Sequence, residues 1–253
     1  RILTEKGFTS ADWVASDFAV LNQANAGSLG VIVEPGETTA SLIDRICQSI
    51  GAWWGFDNLN RFRVELFAAP SGDPDLVLSS PTAAYGGLLS AEDEWVPFAV
   101  TDIERATETQ PPLWRVTVQA DQNYAAQDKK SLAGVVPADR AAWFALAARE
   151  QKAEDSAIKT ARALAETQAL PSSLNGIATA AAEAARRLAL YAVRRDVVTI
   201  SAKINDWLVD GLDLGATVKV QIDQLGYTSG RMMIITGVRL DFQRGIADLT
   251  CWG

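Results

Sequence analysis

At 253 residues the chain suits one large or two modest domains, and 48% hydrophobic with 21% charged residues is the balance of a soluble globular protein. It contains no histidine, which removes Ser-His-Asp and Cys-His nucleophilic machinery, histidine acid–base work and most zinc sites; its net charge of −8 opposes general nucleic-acid binding, which needs clustered Lys and Arg. No stretch approaches the ~18 consecutive apolar residues of a membrane span, and the sequence opens on Arg1 rather than Met, as expected of a processed chain or a piece of a longer one.

Thr9-Ser-Ala-Asp12 suits a helix N-terminus, and apolar Trp13, Val14, Ala15, Phe18 and Leu21 predict a short helix over residues 8–21. Gly30-Val-Ile-Val33 reads as a short strand ended by Glu34-Pro-Gly36. Thr38 or Thr39 then caps a helix whose Leu42, Ile43, Ile46, Cys47 and Ile50 share one face of a 3.6-residue period, and Gly51 stops it. After Trp53 and Trp54, residues 61–67 alternate: Phe62, Val64 and Leu66 face one way, Arg61, Arg63 and Glu65 the other. That is a half-exposed strand. The paired tryptophans fit a sugar- or partner-stacking surface; they equally fit one ring packed under the preceding helix with the other partly exposed.

Residues 69–94 are rich in Pro, Gly and Ser and read as loop, with a short strand at Leu76-Val-Leu78; Trp95-Val-Pro-Phe98 restarts order. Residues 113–120 form a second alternating strand, with Leu113, Arg115, Thr117 and Gln119 opposite Trp114, Val116 and Val118. Residues 138–169 are alanine-rich and charged, and propensity favours helix there until Pro171. The strongest helix spans 177–192 on an Ala180, Ala184, Leu188, Tyr191 stripe. Four or five short strands then follow, bent by turns at Asp210-Gly211, Asp213-Leu-Gly215 and Gly226 to Gly230.

Chemistry-bearing motifs are missing: neither G-x-G-x-x-G nor G-x-x-x-x-G-K-[ST] occurs. The carboxylate pairs in Glu92-Asp-Glu94 and Glu154-Asp155 are adjacent in sequence, point different ways and lack the alternation of a calcium loop. Asp121, Asn123 and Tyr124 suit a polar pocket or a strand-to-loop transition. Arg186-Arg187 and Arg194-Arg195 lie where cations complement a helix dipole. Cys47 and Cys251 sit in apolar contexts as buried thiols, which fits folding in a reducing cytosol. The residues alone therefore give a mixed α and β, non-catalytic protein with interaction surfaces. No catalytic, cofactor-binding or metal-ligating residue is assigned, and no cofactor.

The order of elements in residues 175–253 resembles the carboxy-terminal part of tail-tip and baseplate-hub proteins of tailed bacteriophages, including the hub of gene transfer agents. An Ala-rich helix with paired arginines (Ala180 to Arg195) precedes a strand. Then come Asp213-Leu-Gly-Ala-Thr-Val218, a hairpin from Gly226 to Gly237, and a terminal Leu249-Thr-Cys-Trp-Gly253. The helix–Trp-Trp-Gly–strand unit at 37–67 is similar to the small α/β module embedded in these hubs. Residues 138–170 depart from the pattern in their alanine content.

The resemblance implies an α+β fold: a β-rich tube-like hub domain from 1–27, 81–136 and 194–253, an inserted small α/β module at 28–80, and a helical crossover at 137–193. It implies a homotrimer on the tail axis, joining the tail tube to distal receptor-binding or fibre proteins. The protein would be made in the bacterial host cytoplasm and carried in the virion. DNA would pass through without specific binding, eased by a negative lumen that the polar face of strand 113–120 helps to line. Trp53, Trp54, Arg61 and Arg63 are the expected exposed contacts. Two rivals stay open: a receptor- or glycan-binding module, and a cell-wall-degrading domain of the same tail tip, which would need two carboxylates facing one cleft.

Overall fold

A computed structural model describes residues 2–57, 59–79, 98–106, 111–203 and 212–253. The expected Asp210-Gly211 turn and all of residues 80–97, with the Glu92-Asp-Glu94 run and Trp95, lie outside them. In chain order the elements begin with α1 (Ile2–Glu5), α2 (Ala15–Ala24), β1 (Ser28–Leu29), α3 (Thr39–Ile50), β2 (Ala52–Phe56), β3 (Phe62–Leu66), β4 (Leu76–Ser79) and β5 (Phe98–Arg105). They continue with β6 (Leu113–Ala120), α4 (Ala138–Phe144), β7 (Arg149–Glu154), α5 (Ser156–Ala161), β8 (Glu166–Leu170), β9 (Leu174–Asn175) and α6 (Ile177–Tyr191). The last four strands are β10 (Val197–Lys203), β11 (Thr217–Gln221), β12 (Arg231–Asp241) and β13 (Ile246–Trp252). The fold is α+β.

Two compact units divide the chain: Arg1–Gly55, Arg61–Phe67 and Pro111–Val193 make the first, and Phe56–Asn60, Ala68–Gln110 and Arg194–Gly253 the second. This differs from the sequence-based division, in which 28–80 stands alone, 1–27, 81–136 and 194–253 form one β-rich domain, and 137–193 is a helical crossover. The reason lies in strand pairing. β6 is the centre of a three-stranded sheet, antiparallel to β7 and parallel to β8, so 111–136 is tied to 137–170.

Residues 138–169 are accordingly two short helices and two strands rather than one helix. Arg149 to Glu154 alternate between half-buried and exposed as they pair with β6. Ladder hydrogen bonds to a central strand outweigh an intrinsic helix preference of a few tenths of a kcal/mol, roughly, per residue. Asp155 then accepts a hydrogen bond from the Ala157 amide at 2.9 Å and caps α5.

In the first unit α6 lies on this sheet, with Ala180 and Ala184 fully buried beside Leu113, Val116 and Val118. Small side chains there allow helix and sheet to approach closely. A register shift between Leu113 and Arg115 brings Leu113 to the same side as Val116, Val118 and Ala120, which strict alternation would forbid. Thr117 is also buried, so β6 is less two-faced than its sequence suggests. On Trp114 sit two cations, Arg115 at 4.2 Å and Lys159 at 4.4 Å from the ring centre.

A second core in this unit joins α2, α3 and the β2–β3 hairpin through Leu21, Cys47, Phe62 and Val64. Phe62 is stacked between Trp54, at 5.7 Å, and Phe18, at 6.2 Å. The helix α3 obeys its sequence signals. Thr38 Oγ1 accepts from the Ser41 amide at 3.1 Å, and Gly51 ends the helix at φ 62°. Helix α2 starts at Ala15, later than expected, because Asp12 is spent on a turn: its Oδ2 accepts from the Thr9 amide at 2.6 Å and hydroxyl at 2.7 Å. Residues 30–33 are not a strand; only Ser28–Leu29 pairs, with β9.

The second unit is a closed six-stranded barrel in the order β10-β13-β12-β11-β4-β5. Its interior is filled: Leu78, Val198, Ile200, Val218, Val220, Met233, Ile235, Leu249 and Cys251 are essentially inaccessible. A barrel this small encloses side chains, not a channel. Strand β10 alternates cleanly, but β12 does not: a bulge between Ile235 and Gly237 shifts the parity, so Met233 and Ile235 point inward and, beyond it, so do Val238 and Leu240. Closing the barrel, Asp196 and Gly253 exchange backbone hydrogen bonds at 2.8 and 3.0 Å, and Gly253 has the Met232 carbonyl where a Cβ would stand.

Candidate functional site

Helix α6 places Glu183, Arg186 and Arg187 on consecutive turns, and the i,i+3 and i,i+4 spacing aims all three at one point. The Glu183 carboxylate is 2% exposed and holds both guanidiniums: Arg186 Nε to Oε2 and Nη2 to Oε1 at 2.8 Å each, and Arg187 Nε to Oε1 at 2.6 Å. The remaining donors turn to backbone. Arg186 Nη1 reaches the Phe67 carbonyl at 2.8 Å and Nη2 the Gly51 carbonyl at 3.4 Å, while Arg187 donates to the Gln48 carbonyl. The paired arginines thus cap the C-terminus of α3 rather than complement the dipole of their own helix.

This network floors a cleft of about 550 Å³ whose walls include Trp53, Trp54, Phe67 and Tyr191. Of the four residues singled out from sequence, two line it, and none of the four is fully exposed. Trp53 and Trp54 are half-buried and line the cleft, Trp54 also donating its indole N–H to Asp44 at 2.6 Å. Arg61 is half-buried at the start of the β3 segment. Arg63 is held by Asp17, Nε to Oδ2 at 2.6 Å, and by Glu65. The cleft brings Trp53 and Trp54 together and leaves Arg61 and Arg63 out of its lining.

Glu183, Phe67 and Tyr191 were not anticipated. The one sequence signal for Glu183 is the Glu183-x-x-Arg-Arg spacing on one helix; Tyr191 belongs to the apolar stripe of that helix and Phe67 to the end of the alternating 61–67 segment.

A second hollow, of about 520 Å³, is apolar. Leu3, Trp13, Phe18, Ile43, Ile46 and Phe62 are among its walls. Cys47 borders both hollows, and burial pushes its thiol up to about 12, as burial does for Cys251. Both cysteines are free.

The other polar groups considered from sequence are structural. Asp121 Oδ1 accepts from the Gly176 amide at 2.7 Å, Asn123 Nδ2 donates to the Phe144 carbonyl at 3.0 Å, and the Tyr124 hydroxyl donates to the Gly30 carbonyl at 3.2 Å. Glu154 pairs with Arg115 at 2.9 Å. Among the described residues no group of three potential metal ligands converges, and no helix is long and apolar enough to cross a membrane. What the cleft offers is aromatic surface and fixed positive charge.

No family model and no curated protein matches this sequence. In structure the chain is similar to the tail protein of Neisseria meningitidis MC58, with a TM-score of 0.51 and 18% identity over 89% of this chain and 58% of that one. It is also similar to the 43 kDa tail protein of prophage MuSo2 from Shewanella oneidensis (TM-score 0.48, 13% identity, 88% and 56% covered). A chain in the virion of a native gene transfer agent particle gives a TM-score of 0.49 at 16% identity, with 87% and 40% covered. The chain spans less than two thirds of each of these proteins. Its fold is that of a tail protein.

Proposed function

We propose that this chain is a structural component of a phage tail: the hub or tip protein that joins the tail tube to distal receptor-binding or fibre proteins, and so serves host attachment. The observation that carries the reading is the likeness to the Neisseria tail protein along 89% of the chain, which takes in both compact units. The aromatic walls and paired arginines of the Trp53–Tyr191 cleft support a binding role. In this role three copies surround the tail axis, DNA passes without specific binding, and Trp53, Trp54, Arg61 and Arg63 serve as contacts to neighbouring tail proteins. Native mass spectrometry of the full chain at micromolar concentration tests the assembly. A trimer is expected, and a strict monomer at every concentration would overturn it.

The aromatic walls of the cleft favour one second reading, a receptor-glycan site. Glycan-array binding that is lost in Trp53→Ala would support it over the hub; a blank array would remove it.

A further inference from the structure

The barrel unit carries a polar cleft of about 460 Å³ that the tail reading does not use, with Arg105, Arg194, Asp196, Tyr227, Ser229 and Arg231 among its walls. Arg105 ends β5, Arg231 begins β12, and the turn before β12 is folded back by positive φ at Leu225 (58°), Gly226 (79°) and Gly230 (88°). Asp196 anchors the cleft. Its side chain is only 9% exposed, and Oδ2 accepts from the Tyr227 hydroxyl at 2.9 Å and lies 3.4 Å from Arg105 Nη2. Oδ1 stands 3.3 Å from Arg194 Nη2, without a hydrogen bond of good geometry.

The cleft is over-supplied with donors. Three guanidiniums carry about fifteen N–H groups. Against them stand the Asp196 carboxylate, the Leu225 carbonyl, which takes Arg105 Nη2 at 3.3 Å, and the Gly253 carbonyl, which takes Arg231 Nη2 at 3.0 Å. Arg105 Nε is buried and has no acceptor. Among the described residues that line the cleft, three positive charges thus face one negative charge, in a chain whose net charge is −8. A buried donor without an acceptor is costly, and a site with surplus forked donors is complementary to a planar oxyanion.

We propose that this cleft is a docking site for carboxylate side chains on an acidic segment of a partner protein. Guanidinium forks match carboxylates bidentately, and Asp196 with Tyr227 holds Arg105 in place before the partner arrives, which lowers the entropy of docking. The acidic remainder of the chain repels a polyphosphate as long as nucleic acid, whereas a short acidic loop meets only the local positive field.

Calorimetric titration of the full chain with an acetylated, amidated tetraglutamate peptide, in about 25 mM salt where screening is weak, tests this. Saturable binding is expected, weakened about tenfold, as for loss of one charge-assisted contact, in Arg194→Gln. Arg194 is half exposed, so its loss leaves the barrel intact. Ser229→Asp, which puts a competing carboxylate at an exposed position of the cleft, should give the same loss. Arg244→Gln, whose side chain is 80% exposed and lies outside the cleft, should change nothing. Absence of saturable binding, equal weakening by Arg244→Gln, or tighter binding of an oligothymidylate of equal charge would each overturn the proposal.

Discussion

Glu183 and Arg187 lie one helical turn apart on α6, joined Oε1 to Nε at 2.6 Å, and the carboxylate that makes this pair also holds Arg186. A single buried acid therefore pairs with two guanidiniums whose other donors cap α3, and leaves the group with net positive charge. Removing it leaves Arg187, 11% exposed, without its counter-charge. Glu183→Gln should cost about 3–5 kcal/mol, the range for breaking a buried pair from one side. Chemical denaturation of the variant against wild type measures it, and a change below 1 kcal/mol, roughly the scale of an exposed pair, would mean the network is not load sharing as described.

Gly51 is the point where α3 meets that network. Its φ of 62° disfavours any side chain, and a Cβ there would run into Arg186 Nη2. Gly51→Ala should destabilise by about 1–2 kcal/mol from backbone strain alone, plus the displaced guanidinium. In an Arg186→Ala background the guanidinium part vanishes, while the approach of Glu183 Oε1, 2.6 Å from that Cβ, remains. A double-mutant cycle should therefore show positive coupling, and strict additivity would contradict the contact.

In the barrel, Leu249 is inaccessible and Phe242 is 72% exposed. Leu249→Ala should cost about 2–5 kcal/mol through lost burial and the cavity left behind. Phe242→Ser should stay within about 0.5 kcal/mol of wild type. Urea midpoints of the two variants check this, and equal shifts would be inconsistent with a packed interior.

Cys47 and Cys251 give a pH prediction. Burial raises both thiols from 9.0 to about 12, with the Asp44 charge adding to the rise at Cys47. Below pH 9 the thiols are neutral in native and unfolded chains alike, so their full contribution is present. Between about 9 and 12 the unfolded chain releases protons that the native chain keeps, so stability falls as pH rises. Thiol titration with a disulfide reagent at pH 8 should be slow in the native protein and complete on unfolding. Rapid native labelling of either cysteine would show that it is not buried.

Where side-chain periodicity and local capping decide structure, the sequence was readable: α3 with Thr38 before it and Gly51 after it, α6 on its alanine stripe, and the alternating strand β3. Where pairing decides, it was not. Arg149–Glu154 has the composition of a helix and becomes a strand because β6 offers it a ladder. The β12 bulge, which turns Val238 and Leu240 inward, leaves no mark in a period-2 pattern. Of the candidate site, Trp53 and Trp54 were visible as an aromatic pair. The charges beneath them read as helix-end cations, because the carbonyls they cap belong to another helix, 135 and more residues away in sequence.

Immunogold electron microscopy of purified particles, with antibody raised against this chain, tests the tail-tip assignment most directly. Gold at the distal end of the tail, on particles whose tails are otherwise unlabelled, is the predicted result. Gold along the tube or on the capsid, or particles without any label while the protein is abundant in the host lysate, would contradict it.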